Sequence, residues 1–109
     1  MDISLARNVL RRRIAGPRYT PIFRARAAAT LTALAEFILA AHSNGALDLI
    51  PISRDPAKGI ELRCRIETPD DLQALSDSLA KQVSDVADEI EFVREPDCFH
   101  IVTRVWLTR

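Results

Sequence analysis

The chain has 109 residues, of which 48% are hydrophobic and 28% charged, and its formal net charge is zero. This length suits one domain over residues 1–109, which can bury a modest core without a metal or a disulfide. No apolar run approaches the ~18 residues that cross a membrane, and the first residues lack the small-residue cleavage site of a secretory signal, so we expect a cytoplasmic protein.

The charge is distributed unevenly along the chain. Residues 1–30 carry seven arginines and one acid, a net charge of +6, whereas residues 31–109 carry eight basic and fourteen acidic residues, a net charge of −6. Such asymmetry occurs in proteins that bind nucleic acids or acidic proteins. It is also typical of a solvated basic helix that an acidic one compensates, and this interpretation is favoured because exposed charge runs are common.

Two helices are predicted at the start of the chain. Apolar residues recur at helical spacing over 3–15, and the glycine and proline at 16–17 end this helix because proline cannot continue its hydrogen-bond ladder. The second helix covers 21–42, with Thr20 as its N-cap and a proline as its first residue. Residues 43–45 stop it, and Gly45 is free to adopt a positive φ there.

The remaining elements are, in order, strand 46–53, turn 54–58, strand 59–67, helix 69–87, strand 89–94 and strand 99–107. Strand 59–67 alternates apolar and charged residues, as expected of a half-buried strand, and Pro51 indicates that 46–53 lies at an edge or is distorted. The order predicts an α+β protein. Its three helices cover one face of a mixed four-stranded sheet, which gives a two-layer sandwich.

Several local strings, in the same order over nearly the whole chain, resemble the histidine-kinase-like (GHKL) ATPase domain. The resemblance is to the branch of bacterial anti-sigma factors and stressosome switch kinases. The similar strings lie at 2–7, 32–38, 59–62, 71–75, 88–92, 95–96 and 105–107. This resemblance implies a regulatory protein of bacterial signal transduction or transcription control.

The residues that bind nucleotide in that family are replaced. The positions of its catalytic glutamate and Mg²⁺-binding asparagine are Ala33 and Phe37, which can neither accept a proton nor coordinate a hard cation. Glu67 or Asp70 could substitute for the adenine-binding aspartate, but no glycine follows. The glycine-rich lid is absent as well. The resemblance therefore implies a catalytically inactive pseudoenzyme that uses no cofactor.

Other combinations of reactive side chains are weaker. Cys98 and His100 share one face of a strand, but two ligands do not close a zinc site, so no metal is expected. Cys64 and Cys98 are interpreted as small buried hydrophobic residues rather than a disulfide. No serine or threonine stands in a recognisable nucleophile motif.

A protein partner is therefore the favoured expectation: a sigma factor, a STAS-domain antagonist or a second copy of the chain as a homodimer. The candidate partner surface comprises Arg7, Arg11, Arg12, Arg13, Ala33, Phe37 and Ala41. For the last three, cover by helix 69–87 is favoured over a docking role, because uncovered apolar patches are uncommon on monomers. Two alternatives remain open: an active ATP-binding serine kinase or anti-sigma factor with substituted residues, and a nucleic-acid-binding module that uses the arginine-rich first helix.

Overall fold

The computed structural model describes residues 3–16, 18–40, 45–67 and 72–107. In chain order the elements are α1 (Ile3–Arg13), α2 (Pro21–Ala40), β1 (Ala46–Arg54), β2 (Ala57–Ile66), α3 (Leu72–Val83), β3 (Glu89–Arg94) and β4 (Phe99–Trp106). The predicted order of helices and strands is confirmed. So is the α+β class, with helices packed on a four-stranded sheet.

The sheet is antiparallel throughout, and its strand order is β1-β2-β4-β3. The prediction of a mixed sheet is therefore wrong. α3 connects β2 to β3, but β3 does not pair with β2; it pairs with β4, which lies between them. Of the two possibilities that Pro51 indicated for the first strand, an edge or a distortion, the edge position is confirmed, since β1 pairs only with β2 among the described strands.

The core lies between the sheet and α2. One face of β2 contributes Ile60, Leu62, Cys64 and Ile66, all nearly fully buried. α2 packs on β2 and β4 in the middle of the sheet, while α1 and α3 pack against α2 on either side. The alternation along β2 places its apolar residues beneath the helices, as the sequence predicts.

The start of α2 agrees with its sequence signals. The backbone N–H of Phe23 donates to the Thr20 hydroxyl at 3.1 Å, which is the predicted N-cap bond. Gly45, in contrast, does not adopt a positive φ. A Cβ at this position would lie 2.8 Å from the Ile38 side chain, so the glycine is needed for close packing rather than for backbone conformation.

α3 ends at Val83, four residues before the predicted end. The chain then turns over 84–86, where the N–H groups of Val86 and Ala87 both donate to the Val83 carbonyl. Arg26 of α2 fixes this turn by donating to the Val86 carbonyl at 3.1 Å and pairing with Asp88 at 2.8 Å. A tertiary contact therefore stabilises the turn that follows the helix, and no local sequence signal marks this helix end.

Candidate functional site: an arginine-lined groove on the helical layer

Ala33 and Phe37 lie in the core of the structure. They are 7% and 5% exposed, and the side chains of Leu75 and Leu79 from α3 lie over them. The favoured expectation, that the third helix covers this stripe, is confirmed for these two residues. They are consequently not available to a partner in this conformation, which corrects their inclusion in the partner surface. Ala41, the third member of the stripe, lies outside the described residues.

The space between α2 and α3 is a crevice of about 140 Å³, whose rim includes the exposed Glu36. Sites for small organic ligands usually enclose at least ~300 Å³. Glu67, one of the two candidates for the adenine-binding position, is exposed immediately after β2. Asp70, the other candidate, lies outside the described residues. The described residues around this crevice are thus mainly packed apolar side chains from α2 and α3.

Two arginines of the basic N-terminal segment have structural roles. Arg24 donates to the carbonyls of Ala15 and Gly16, at 3.3 and 3.0 Å, and so binds the chain that leaves α1. Arg26 forms the half-buried ion pair with Asp88. Part of the N-terminal positive charge therefore stabilises the fold and is not free for a partner.

The arginines of α1 are arranged differently. Arg7 donates to the Thr32 hydroxyl of α2 at 3.0 Å. Arg11, Arg12 and Arg13 are exposed, and their side chains form no hydrogen bond or ion pair within the described ranges. They occupy the last turn of the helix, where the helix dipole favours positive charge. α1 therefore presents a concentrated positive charge that the described part of the chain does not neutralise.

A groove of about 400 Å³ lies between α1 and α2. Its apolar floor is formed by Leu10, Ile14, Ala15 and Ala28, and its charged sides by Arg7, Arg11 and Arg24. We call it the arginine groove. The apolar residues pack α1 on α2, and Arg7 and Arg11 lie on the polar side of the amphipathic helix α1.

A second depression, of about 500 Å³, lies on the opposite side of α1 along the edge strand β1. Its α1 side includes Leu5, Val9 and Arg13, and its β1 side includes Leu47 and Ile50. Leu5 is 57% exposed. Helix α1 is thus a basic ridge with apolar residues at its base on both sides.

The open face of the sheet carries a network of paired charges. Arg104 of β4 pairs with Glu61 at 3.0 Å and with Glu89 and Glu91 at 3.4 Å each. Glu61, whose side chain is only 8% exposed, also pairs with Arg63 at 3.1 Å. Partial burial acts to lower the pKa of Arg104, but the hydrogen bonds and charges of Glu91 and Glu61 outweigh it and raise that pKa. These ion pairs neutralise one another's charges and link β2, β4 and β3, so the network stabilises the sheet.

The two cysteines differ in their surroundings. Cys64 is fully buried in β2, as predicted, and burial raises the pKa of its thiol to about 12. Cys98 lies just before β4 and is only half-buried, so the prediction that it belongs to the core is wrong. Both thiols are free, as predicted.

No known protein family, characterised protein or solved structure matches this chain. The histidine-kinase-like assignment therefore stays a prediction. None of the helices in the described ranges is long and apolar enough to cross a membrane.

Proposed function

We propose that this protein is a non-catalytic regulatory module of the bacterial cytoplasm, and that its arginine groove binds a protein partner. The partner presents an acidic amphipathic segment, whose carboxylates pair with the arginines of α1 and whose apolar residues contact the floor of the groove. The observation that carries the proposal is one groove that combines an apolar floor with the exposed Arg11, which has no partner in the described ranges, and with Arg7, whose only partner there is the uncharged Thr32 hydroxyl.

The energetics favour a partner with both kinds of side chain. Exposed arginines gain only about 0–1 kcal/mol from an isolated surface ion pair, so charge alone gives weak binding. An apolar contact adds ~25 cal/mol for each Å² of apolar surface that it removes from water. Charge also accelerates encounter with an acidic surface and selects the partner. The resemblance to anti-sigma factors makes a sigma factor or a STAS-domain antagonist the first candidates, acting without ATP.

A nucleic-acid partner is the alternative that the charge of α1 favours. Phosphate binding would use the same arginines, but single-stranded nucleic acids also need aromatic platforms on which bases stack. Two aromatic residues lie among the N-terminal arginines, Tyr19 and the buried Phe23, and their rings are stacked with centroids 5.5 Å apart. Arg18 lies over the Tyr19 ring at 5.3 Å. This tyrosine is thus already engaged, and the groove floor is apolar, which favours a protein partner.

An active ATP-dependent kinase is the second alternative, and thermal melting tests it. A nucleotide present at a hundred times its Kd would stabilise the protein by about 2.7 kcal/mol. We expect melting curves with and without Mg-ATP to superimpose. A clear upward shift of Tm with Mg-ATP would establish nucleotide binding and contradict the proposal that the module acts without ATP.

The binding experiment compares two fluorescent peptides of identical composition. One places leucines at the helical spacing i, i+3, i+4, i+7 with glutamates between them, so that a helix has one apolar and one acidic face, and the other has the same residues scrambled. We expect the full-length protein to bind the amphipathic peptide more tightly, because only that peptide can present both faces to the groove. A duplex DNA of equal net charge, measured at the same ionic strength, should bind more weakly than the amphipathic peptide.

Charge reversal locates the site. The variant R7E/R11E reverses the two α1 arginines of the groove and should lose peptide binding by at least tenfold, which corresponds to about 1.4 kcal/mol. The matched control K58E/K81E reverses two exposed cations elsewhere on the surface and should bind like the wild type. Equal losses in the two variants, or no preference between amphipathic and scrambled peptide, would refute the proposed site. Tighter binding of DNA would favour the nucleic-acid alternative.

A further inference from the structure

The hairpin that joins β3 to β4 brings three metal-binding side chains together. Its turn is closed by the Glu95 N–H, which donates to the Cys98 carbonyl at 2.9 Å. His100 is the second residue of β4 and lies two positions after Cys98, so their side chains project to the same side. The turn thereby places the Glu95 carboxylate beside the thiol and the imidazole, although Glu95 precedes Cys98 by three residues.

The three ligand atoms form a nearly equilateral triangle. The Cys98 Sγ lies 3.4 Å from the His100 Nε2 and 3.5 Å from a Glu95 carboxylate oxygen, and the Nε2 lies 3.5 Å from that oxygen. Zinc bonds of about 2.0–2.3 Å at tetrahedral angles place neighbouring ligand atoms about 3.3–3.6 Å apart. All three observed separations fall in this range. An ion just above the triangle would contact all three atoms without any change in the backbone.

We propose that Glu95, Cys98 and His100 form a binding site for Zn²⁺, with water in the fourth position. Sulfur, imidazole nitrogen and carboxylate oxygen are the three ligand types that zinc uses in proteins. A thiolate and a carboxylate together neutralise the charge of the ion. The site lies in a hairpin loop, with Glu95 exposed and the other two residues half-buried, so an ion can enter from solvent.

The charges around the three ligand atoms favour a bound cation over a thiolate without a metal. The carboxylates of Glu95 and Asp97 act on the Cys98 side chain as negative charges. Arg65, which stands opposite His100 in the neighbouring strand, acts in the other direction. Two carboxylates against one guanidinium leave a net negative environment. A divalent ion that displaces the thiol proton is stabilised there.

Sequence patterns alone did not reveal this site. Cys98 and His100 were recognisable as a pair, but Glu95 belongs to the turn, and only the closure of the hairpin shows that it shares their face. The site is also separate from the arginine groove, which is formed by α1 and α2. Its test is therefore independent of the proposed function.

The test is a titration of the untagged, reduced and metal-free full-length protein with Zn²⁺ against a chromophoric chelator. We expect one equivalent of Zn²⁺ to bind. E95Q, C98S and H100A should each weaken binding at least about tenfold, because even the outer-shell partners of metal sites contribute 10–100-fold. Two matched controls, H42A for the second histidine and D85N for an exposed carboxylate in the turn after α3, should keep binding within a few-fold of wild type.

Cobalt gives a second readout of the same ligands. Co²⁺ in the site should produce an intense thiolate-to-metal charge-transfer band, which C98S abolishes, together with the visible bands of tetrahedral coordination. Glu95 and Cys98 lie in the hairpin turn and His100 at the start of β4, all outside the buried core, so the three variants should retain the circular dichroism spectrum of the metal-free wild type. Absence of stoichiometric Zn²⁺ binding, or binding that survives the three ligand substitutions, would overturn the proposal.

Discussion

The burial of Phe37 decides whether this residue contributes to folding or to partner binding. It lies on α2, which also carries Leu39 two residues further on; Phe37 is 5% exposed and Leu39 is 54% exposed. If the stripe of Ala33 and Phe37 were a docking surface, a polar substitution would disturb assembly and leave folding intact. Because α3 covers the stripe, the same substitution acts on folding.

We expect Phe37→Ala to lower the free energy of unfolding by about 3–5 kcal/mol, which is typical when a buried aromatic residue is removed. Phe37→Asp should abolish cooperative unfolding, because the buried carboxylate has no partner. Leu39→Ala is the matched control on the same helix and should change stability by no more than about 0.5 kcal/mol. Urea unfolding measures all three. A Phe37→Asp variant that melts cooperatively would show that α3 does not cover this residue in solution.

Cys64 gives the fold a predictable response to alkaline pH. Its pKa is raised from 9.0 to about 12 because the thiol is buried, so the folded state keeps a proton that the unfolded state loses. The contribution of this protonated thiol to the free energy of unfolding is complete below pH 9.0 and is lost as the pH rises towards 12. The free energy of unfolding should therefore fall by about 1.4 kcal/mol per pH unit in this window from this group alone.

The measurement compares urea unfolding of the wild type and Cys64→Ala at several pH values above 9. The variant should start from a lower stability, because a buried group is removed, but its stability should fall less steeply with pH. Parallel slopes for the two proteins would contradict the assignment of a buried, protonated thiol. A thiol-reactive chromophore gives a simple check: it should label Cys98 in the native, metal-free protein and Cys64 only after unfolding.

At the scale of the elements, β2 and β4 depend on a glycine. Gly59 pairs with Trp106, and a Cβ at Gly59 would overlap the Val105 carbonyl oxygen and lie 3.0 Å from the Trp106 backbone and ring. Trp106 is in turn held by Glu89, whose carboxylate accepts from its indole N–H. The backbone atoms that crowd this glycine belong to the strand pairing itself, so they cannot move away cheaply.

We expect Gly59→Ala to destabilise the protein by about 2 kcal/mol or more, through displacement of β4 from β2. Gly16→Ala is the matched control: the nearest heavy atoms to its new methyl group would be on the Tyr19 ring, at 3.8 Å. That variant should be neutral or slightly stabilising, since it restricts the unfolded chain. Thermal unfolding with Trp106 fluorescence measures both. A Gly59→Ala variant as stable as Gly16→Ala would contradict the tight β2–β4 contact.

Elements with strong local signals were predictable from the sequence, and those set by distant contacts were not. The N-cap Thr20 fixed the start of α2, and the alternation along β2 fixed its buried face. The end of α3 was predicted too late because Arg26, far away in the sequence, fixes the following turn. The pairing of β3 with β4 alone, and the cross-strand contacts of Arg104, likewise follow from sheet order, which no local pattern specifies.

At the scale of the whole molecule, the charge asymmetry has two parts with different roles. Arg24 and Arg26 are used within the fold, where they hold the chain after α1 and the turn after α3. The arginines of α1 remain exposed beside an apolar groove. The sequence predicted the basic helix, but it could not separate these two groups, because their difference depends on which carbonyls and carboxylates the fold brings near them.

The central claim is that this groove is where a partner binds, and chemical-shift mapping tests it most directly. The ¹⁵N-labelled protein is titrated with the acidic amphipathic peptide, and each backbone amide reports whether its surroundings change. We expect the large shifts to cluster on α1 and on the first half of α2, around Leu10, Ile14 and Ala28, while β3 at the far edge of the sheet stays unchanged. Shifts concentrated on the sheet, or none at a saturating peptide concentration, would contradict the account.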